Sequence, residues 1–334
     1  MAEWAKLDRL LREKSLKAIE ASAREWKEKQ PEIKKKRGVE ITFLGTGGNP
    51  EAVISQVPRT GGFYLQFDDL RMLVDPGLGA PLYARECGID LRSLDAVYIS
   101  HGHTDHYAGA ETVIEAMCWA MSCRRGMVLG PGQVFAENRV ISCYHQGQTE
   151  KSGYRGGPEV VVLEAFRPVE IKGARLTPVP VYHGGENYGF ILEKEGFKLG
   201  YTSDTSYIKA YRNAAGTVEV GRVGTVMDLE EIVDFRRDLK EIFGRVDVLI
   251  ANVTSHNSWF HRHITTLGLA HLLRGSRVQL CLLTHFNYSC VVPEDLRPLM
   301  ARYVEEYSGV AARAVRDGET VLLDCFRKLS SQEA

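Results

Sequence analysis

The hydrophobic pattern divides the chain near Gly38. Before it, Trp4, Leu7, Leu11, Ala18 and Trp26 recur at helical spacing, which predicts a helix over residues 4–36 with one apolar stripe. Such a stripe suits an extension lying on the main body or on a partner subunit. The run KKKR at 34–37 is a solvated charge cluster before a linker glycine more readily than a nucleic-acid contact. After Gly38 the period becomes two. VEITF at 39–43 alternates apolar and polar residues and runs into the glycine-rich turn LGTGG. GGFYLQFDDLRMLVDPG at 61–77 reads as a hairpin turning at Asp68-Asp69 and closed by Pro76-Gly77. LDAVYIS at 94–100 is a strand, YAGAETVIEAMCWAMS at 107–122 a helix, and GMVLGPG at 126–132 a strand and turn. EVVVLEAF, VEIKGARLTPVPVYH and YGFILEKEGFKLGYTSD, between 159 and 204, are successive strands. Residues 206–245 look irregular and then helical, an insertion. A strand at 246–254, a helix near 267–273, a strand at 278–286, a further helix and a strand at 318–326 complete the chain.

Strands carrying helices on their outer sides, without a fixed-period repeat, predict two sheets packed face to face and covered by helices on both faces. The simplest division is a helical extension, 1–37, and one catalytic domain, 38–334. Composition narrows the function classes. Lys+Arg 42 against Asp+Glu 43 gives no global attraction to nucleic acid or to an anionic membrane. No apolar run approaches a bilayer span, and the charged start MAEWAKLDRLLREK does not resemble a secretory leader. Seven cysteines without paired C-x-x-C spacing suit reduced thiols in a cytoplasmic protein.

SHGHTDH at 100–106 crowds three of the chain's 10 histidines into seven positions. Clustered imidazoles repel when protonated and need partners when buried, so a bound cation is the natural compensation. With a strand up to Ser100 and a helix from about Ala108, His101 and His103 project together, and Asp105 and His106 come round the turn. Two ligand pairs facing one point can hold two divalent ions, zinc first, with manganese or iron as substitutes. Four residues cannot complete two coordination shells, so further ligands are expected at other strand ends. His183 ends TPVPVYH, Asp204 ends LGYTSD and His285 ends LCLLTH. Each alone has a mundane reading, a cap or a core histidine; together they occupy the same place at the end of an apolar strand.

These motifs, with FLGTG (43–47), VDPG (74–77), VYHGGENYGF (181–190), YTSDT (201–205) and LLTHF (282–286), resemble the metallo-β-lactamase superfamily and, within it, the phosphodiesterase branch that includes ribonuclease Z. The resemblance runs from about Gly38 onward. It implies an α/β fold: an αββα four-layer sandwich of two mixed β-sheets flanked by helices, with the metals at one edge. It implies that His101, His103 and His183 hold a first metal, that Asp105, His106 and His285 hold a second, and that Asp204 bridges them. It also implies a loop histidine, His263 in HRHITT, with His261 as a rival for that role; a homodimer is the default of the family. Where ribonuclease Z carries His-Glu-Ala-Thr, this chain has ANVT (251–254), so the acidic partner of the loop histidine is missing. The long basic, glycine-rich arm that grips transfer RNA is not evident; CRRG (123–126) and KSGYRGG (151–157) are short candidates for substrate contact.

The expected activity is hydrolysis of a phosphodiester, RNA or a small or cyclic nucleotide, by a hydroxide bridging two metals. Asp105 would orient the nucleophile and take its proton, while His263, as imidazolium, would act on the leaving group. Asp75 would buttress a ligand imidazole or simply cap a turn. The competing readings are a dinuclear hydrolase of a carbon ester, lactone or thioester, a metal-stabilised interaction protein without catalysis, and a nucleic-acid-binding module. His145, His256 and His271 are expected to be structural or surface residues, and FLGTGG to be a turn that lets the backbone pass close to the metal edge.

Overall fold

The computed structural model describes residues 3–28, 37–136, 140–148, 156–220 and 224–326. Two compact units emerge, Met1–Lys35 and Lys36–Ala334. The first contains helix α1, Glu3–Glu28. Trp4, Leu7 and Leu11 of its stripe are exposed. The Trp26 side chain and residues 29–36, which include most of KKKR, lie outside what is described.

In the second unit β1 (Val39–Phe43) leads through the glycine turn to α2 (Asn49–Ser55). The hairpin β2 (Phe63–Phe67) and β3 (Leu70–Val74) follows, then α3 (Ala80–Glu86) and β4 (Ala96–Tyr98). Next come α4 (Thr104–Tyr107), α5 (Ala110–Met117), β5 (Arg124–Gly130), α6 (Gly132–Phe135) and β6 (Gly157–Val162). The second half holds β7 (Val169–Ile171), β8 (Ala174–Pro180), β9 (Tyr188–Lys194) and β10 (Phe197–Tyr201). After these lie β11 (Ile208–Asn213), β12 (Val218–Val220), β13 (Leu229–Phe235), α7 (Arg237–Phe243) and β14 (Val248–Asn252). The last elements are α8 (Thr266–Leu273), β15 (Leu280–Thr284), α9 (Arg297–Ser308), β16 (Ala311–Ala314) and β17 (Thr320–Leu322).

Two seven-stranded sheets form, ordered β17-β1-β2-β3-β4-β5-β6 and β16-β15-β14-β10-β9-β8-β7. Each is mixed: β3 to β6 run parallel in one, and β10, β14, β15 and β16 in the other. Their facing sides share one apolar layer, including Phe43, Phe63, Phe67, Phe190, Phe197 and Tyr201. The outer sides carry separate cores, Val97 and Ile99 with α5, and Leu249 and Leu283 with α8 and α9. The result is the four-layer αββα sandwich expected from the pattern. It explains why β2 and β3 are buried at every position: their residues face a second sheet on one side and helices on the other.

Several elements differ from the sequence expectation, among them YGFILEKEGFKLGYTSD, which is the hairpin of β9 and β10. The turn after Ser100 is not plain loop, since Thr104–Tyr107 forms its own helical turn. The helix expected over 107–122 is α5 alone, Ala110–Met117. Trp119, Ala120 and Met121 then take left-handed backbone with φ 54, 55 and 57, which reverses the chain toward β5 while Met121 stays buried. VEIKGARLTPVPVYH is a hairpin rather than one strand, turning at Lys172 and Gly173, both at positive φ. The segment 206–245 is not irregular before its helix. It folds as a three-stranded antiparallel sheet, β12-β11-β13, whose buried Ile208 and Tyr211 join a core with Phe260 and Val226.

Candidate metal centre

The parallel strands of the two sheets end at the same rim, the usual place for ligands in α/β architectures. β3 delivers Asp75, β4 the SHGHTDH segment, β10 Asp204, β14 Asn252 and β15 His285; His183 follows β8. Two strand-end residues turn their side chains inward through left-handed backbone, Asp75 at φ 49 and His285 at φ 66. Strained non-glycine backbone of this kind is characteristic of functional sites.

Three groups of donor atoms converge. His101, His103, His183 and Asp204 form one, Asp105, His106 and His285 a second, and Asp204, His263 and His285 a third, the atoms of each lying within 4.8 Å of one another. His103 Nδ1 lies 2.9 Å from His101 Nε2 and 3.1 Å from His183 Nε2. His106 Nε2 is 3.1 Å from His285 Nε2. Asp204 faces both sides, with Oδ2 3.6 Å from His183 Nε2 and Oδ1 3.2 Å from His285 Nε2. Asp105 Oδ2 is 3.3 Å from His285 Nε2. All eight residues singled out in the sequence therefore meet at one place. His261 does not join these groups; its ring lies 6.0 Å from that of Trp259.

The fit to divalent cations can be judged from the chemistry of the donors. The His106 Nδ1 is 2.8 Å from Asp75 Oδ2, His183 Nδ1 is 2.9 Å from the Arg262 carbonyl, and His101 Nδ1 is 3.0 Å from Ser100 Oγ. With Nδ1–H committed to the first two acceptors, the Nε2 lone pairs of His106 and His183 point into the cluster, the tautomer that metal-binding histidines adopt. Lone pairs facing one another at such spacing need a cation or a proton between them. A tetrahedral zinc with Zn–N bonds of about 2.0–2.1 Å places its ligands roughly 3.3 Å apart, close to the separations seen. The set is nitrogen and carboxylate without sulfur, which suits zinc, manganese or iron. The residues fit.

Electrostatics agree. Burial would raise the Asp105 carboxyl, but the charge of His106 and the hydrogen bond with His285 hold it well below the usual range. Asp204 is held low in the same way by His285 and His106 against its burial. Burial disfavours a charged His106, yet Asp105, Asp75 and Asp204 together raise it well above an ordinary histidine. His101 is driven well below it, by burial first and then by His106. Anionic carboxylates thus draw positive charge to the centre, and the proton held on His106 is one that metal binding would release.

A buried network supports the ligands. Asp75 accepts from the Ser100 N–H at 2.7 Å, the Ser100 hydroxyl at 2.7 Å and the Tyr201 hydroxyl at 2.6 Å, besides facing His106. Asn252 Nδ2 donates to the Tyr201 oxygen at 3.1 Å and to Asp204 Oδ1 at 2.8 Å. A continuous path therefore joins His106 to Asp204 through Asp75, Tyr201 and Asn252. Asp75 is more than a turn cap. Tyr201 and Asn252 were missed as supporting residues, although both lie in quoted motifs, YTSDT and ANVT; no local spacing announces a contact between the two sheets.

His263 corrects one expectation. Burial pushes its ring down to about 3, with Asp204 opposing, so it is neutral at neutral pH rather than an imidazolium. The position where ribonuclease Z carries glutamate adds no charge to oppose that burial. Asn252 brings no negative charge and spends its amide on Asp204 and Tyr201, leaving His263 Nδ1 3.7 Å from Asp204 Oδ2 and without a hydrogen bond.

The glycine-rich turn does let backbone approach the centre. A Cβ on Gly48 would lie 2.0 Å from the His285 ring, and the next amide, Asn49 N–H, donates to Asp105 Oδ2 at 2.9 Å. Arg125 of CRRG is spent on the carbonyls of Arg92 and Leu94, while residues 151–155 of KSGYRGG lie outside the described ones. Outside the centre His145 sits between Glu111 and Glu115, His271 meets the Tyr207 hydroxyl at 2.9 Å, and His256 packs edge-on to Tyr303.

The chain is similar to several known proteins. Residues 70–223 match the family described as the Beta-lactamase superfamily domain. An uncharacterized protein of Methanocaldococcus jannaschii is 30% identical over 293 residues, 85% of this chain and 95% of the relative. Ribonuclease Z of Pyrobaculum calidifontis is 27% identical over 275 residues, 75% of this chain and 87% of that enzyme. Among solved structures, the metallo-beta-lactamase fold protein YhfI of Bacillus subtilis superposes with a TM-score of 0.62 at 16% identity, covering 86% of this chain and 100% of that one. At that identity the last likeness concerns the fold alone.

Proposed function

This chain belongs to the metallo-β-lactamase superfamily of metal-dependent hydrolases, and from that premise we propose that it is a dinuclear phosphodiesterase. The observation that carries the proposal is the Asp204 carboxylate, placed between His183 on one side and His285 on the other. His101, His103 and His183 would hold one divalent ion, Asp105, His106 and His285 a second, and Asp204 both. Bound there, zinc or a similar ion supplies an ionised water at neutral pH and neutralises charge on a phosphoryl oxygen.

The remaining work falls to the chain's own groups. Asp105, kept ionised and fixed by the Asn49 N–H, orients the attacking water and accepts its proton. His263, neutral and lining the same cleft, offers an N–H to the phosphoryl or leaving oxygen, so it works as a hydrogen-bond donor already aimed at developing charge. The position of His263 beside Asp204, and the likeness to a ribonuclease Z over 87% of that enzyme, support phosphorus over carbon as the reacting centre.

The proposal includes two settings. Free thiols at all seven cysteines suit the reducing cytoplasm, and no helix among the described residues is long and apolar enough to cross a membrane. Residues 38–334 form the hydrolase domain, and the exposed apolar stripe of α1 in the extension 1–37 serves a homodimer, to be checked by light scattering with and without residues 1–37.

Metal analysis and a substrate panel test the reading. Two divalent ions per chain are expected, with turnover of an aryl phosphodiester, a cyclic nucleotide or a precursor transfer RNA. Chelation should abolish turnover and lower the melting temperature, since free metal at about a hundredfold above its Kd stabilises the native state by roughly 2.7 kcal/mol. Turnover of a lactone and a thioester alone would overturn it.

A further inference from the structure

The cleft above the metal centre has two unlike walls. One is α2, where Pro50, Val53 and Ile54 fall on one helical face and present an apolar shelf. Ile54 is 85% exposed, a costly position for a large aliphatic side chain left in water. The other wall is Arg262, whose exposed guanidinium lines the cleft and meets no acidic side chain among the described residues. Both walls are tied to the centre by their backbones. The first residue of α2, Asn49, donates its N–H to Asp105, and the carbonyl of Arg262 receives His183 Nδ1. The backbones that carry the shelf and Arg262 are therefore anchored to the metal centre. The space between them is about 310 Å³, at the small end of ligand sites.

We propose that this cleft selects a nucleotide-sized phosphodiester, with the base lying on the Pro50-Val53-Ile54 shelf and Arg262 gripping the phosphate's outward oxygens. The proposal rests on the phosphodiesterase reading and narrows it. A flat base has an apolar face that gains by covering Ile54, and every base offers one, so the shelf favours nucleotides without choosing strongly among them. An unpaired guanidinium opposite suits two phosphate oxygens through its forked donors. A folded RNA would instead need an extended basic surface to follow its backbone, and among the described residues Arg262 is the one lysine or arginine lining this cleft.

The test pairs two enzymes with two substrates: a 3′,5′-cyclic nucleotide, and the same cyclic ribose phosphate without its base. In the wild type, removal of the base should lower kcat/KM by about tenfold or more, the scale of one lost apolar contact. In Ile54→Asp the two substrates should become nearly equal, because the shelf no longer accepts a base. Arg262→Ala should lower kcat/KM for both substrates alike, and Arg262→Lys should restore only part. Both positions are exposed, so folding is not at risk, and metal content should match the wild type. An unchanged ratio in Ile54→Asp, no effect of Arg262→Ala, or a wild-type preference for precursor transfer RNA over both small substrates would overturn the proposal. Inertness of the wild type toward every phosphodiester, a generic aryl one included, would instead remove the reading beneath it.

Discussion

The two halves of the metal centre are built in different ways. The first half comes from one stretch: His101, His103, Asp105 and His106 lie within six residues and are brought together by the end of β4 and the single turn α4. The second half is assembled from four separate places, His183, Asp204, His263 and His285, each set by a different strand end or loop. Local geometry alone brings the first group together. The second group holds its place only while the second sheet keeps its strand order and its contact with the first. The path from His106 through Asp75, Tyr201 and Asn252 to Asp204 is what locks the two halves to each other.

Substitutions can break this comparison in graded steps. Asp204→Ala should have the largest effect, because it removes the carboxylate that lies near His106, His183, His263 and His285 at once. Turnover should fall by more than about 10⁴-fold, beyond what one acid–base group contributes, and metal analysis should show both ions weakened rather than one. Loss of a single ion with the other kept would show that the halves are independent. His263→Ala should keep its metals and lose about 10²–10³-fold in kcat, the scale of one donor aimed at developing charge.

Tyr201→Phe deletes the hydroxyl between Asp75 and Asn252 while leaving every donor atom in place. Metal affinity, read by chelator competition, should weaken by about 10–100-fold, the usual cost of removing an outer partner of a ligand. An unaltered affinity would show that the halves are joined by packing alone. His145→Ala should have the smallest effect. It removes an imidazole held between Glu111 and Glu115 outside the centre, so turnover and metal content should stay within about twofold, with stability lower by at most about 1 kcal/mol.

The same contrast explains what could be read in advance. SHGHTDH was legible because its residues are neighbours in the chain and in space. His183, Asp204 and His285 were legible because each ends an apolar strand, and a sheet brings strand ends to one rim. His263 needed the resemblance to a family, since it follows no strand and only the Ile264-Thr265-Thr266 after it favours it over its neighbour His261. The neutral state of His263 was not legible at all: it follows from burial, which only the packing around the loop sets. The three-stranded sheet at 206–245 was also missed, because its strands mix charged with apolar residues and gain their core from distant ones such as Phe260.

By itself the chain's pattern determined a two-sheet sandwich with helices outside and a rim where histidine and aspartate end the strands, since period and strand length depend on near neighbours. Only the tertiary structure decided which side chains touch. It set Tyr201 against Asp75 and Asn252 against Asp204. Those pairings depend on how two sheets and their loops pack at close range, and a single strand's residues do not encode the distance to a partner contributed from another part of the chain.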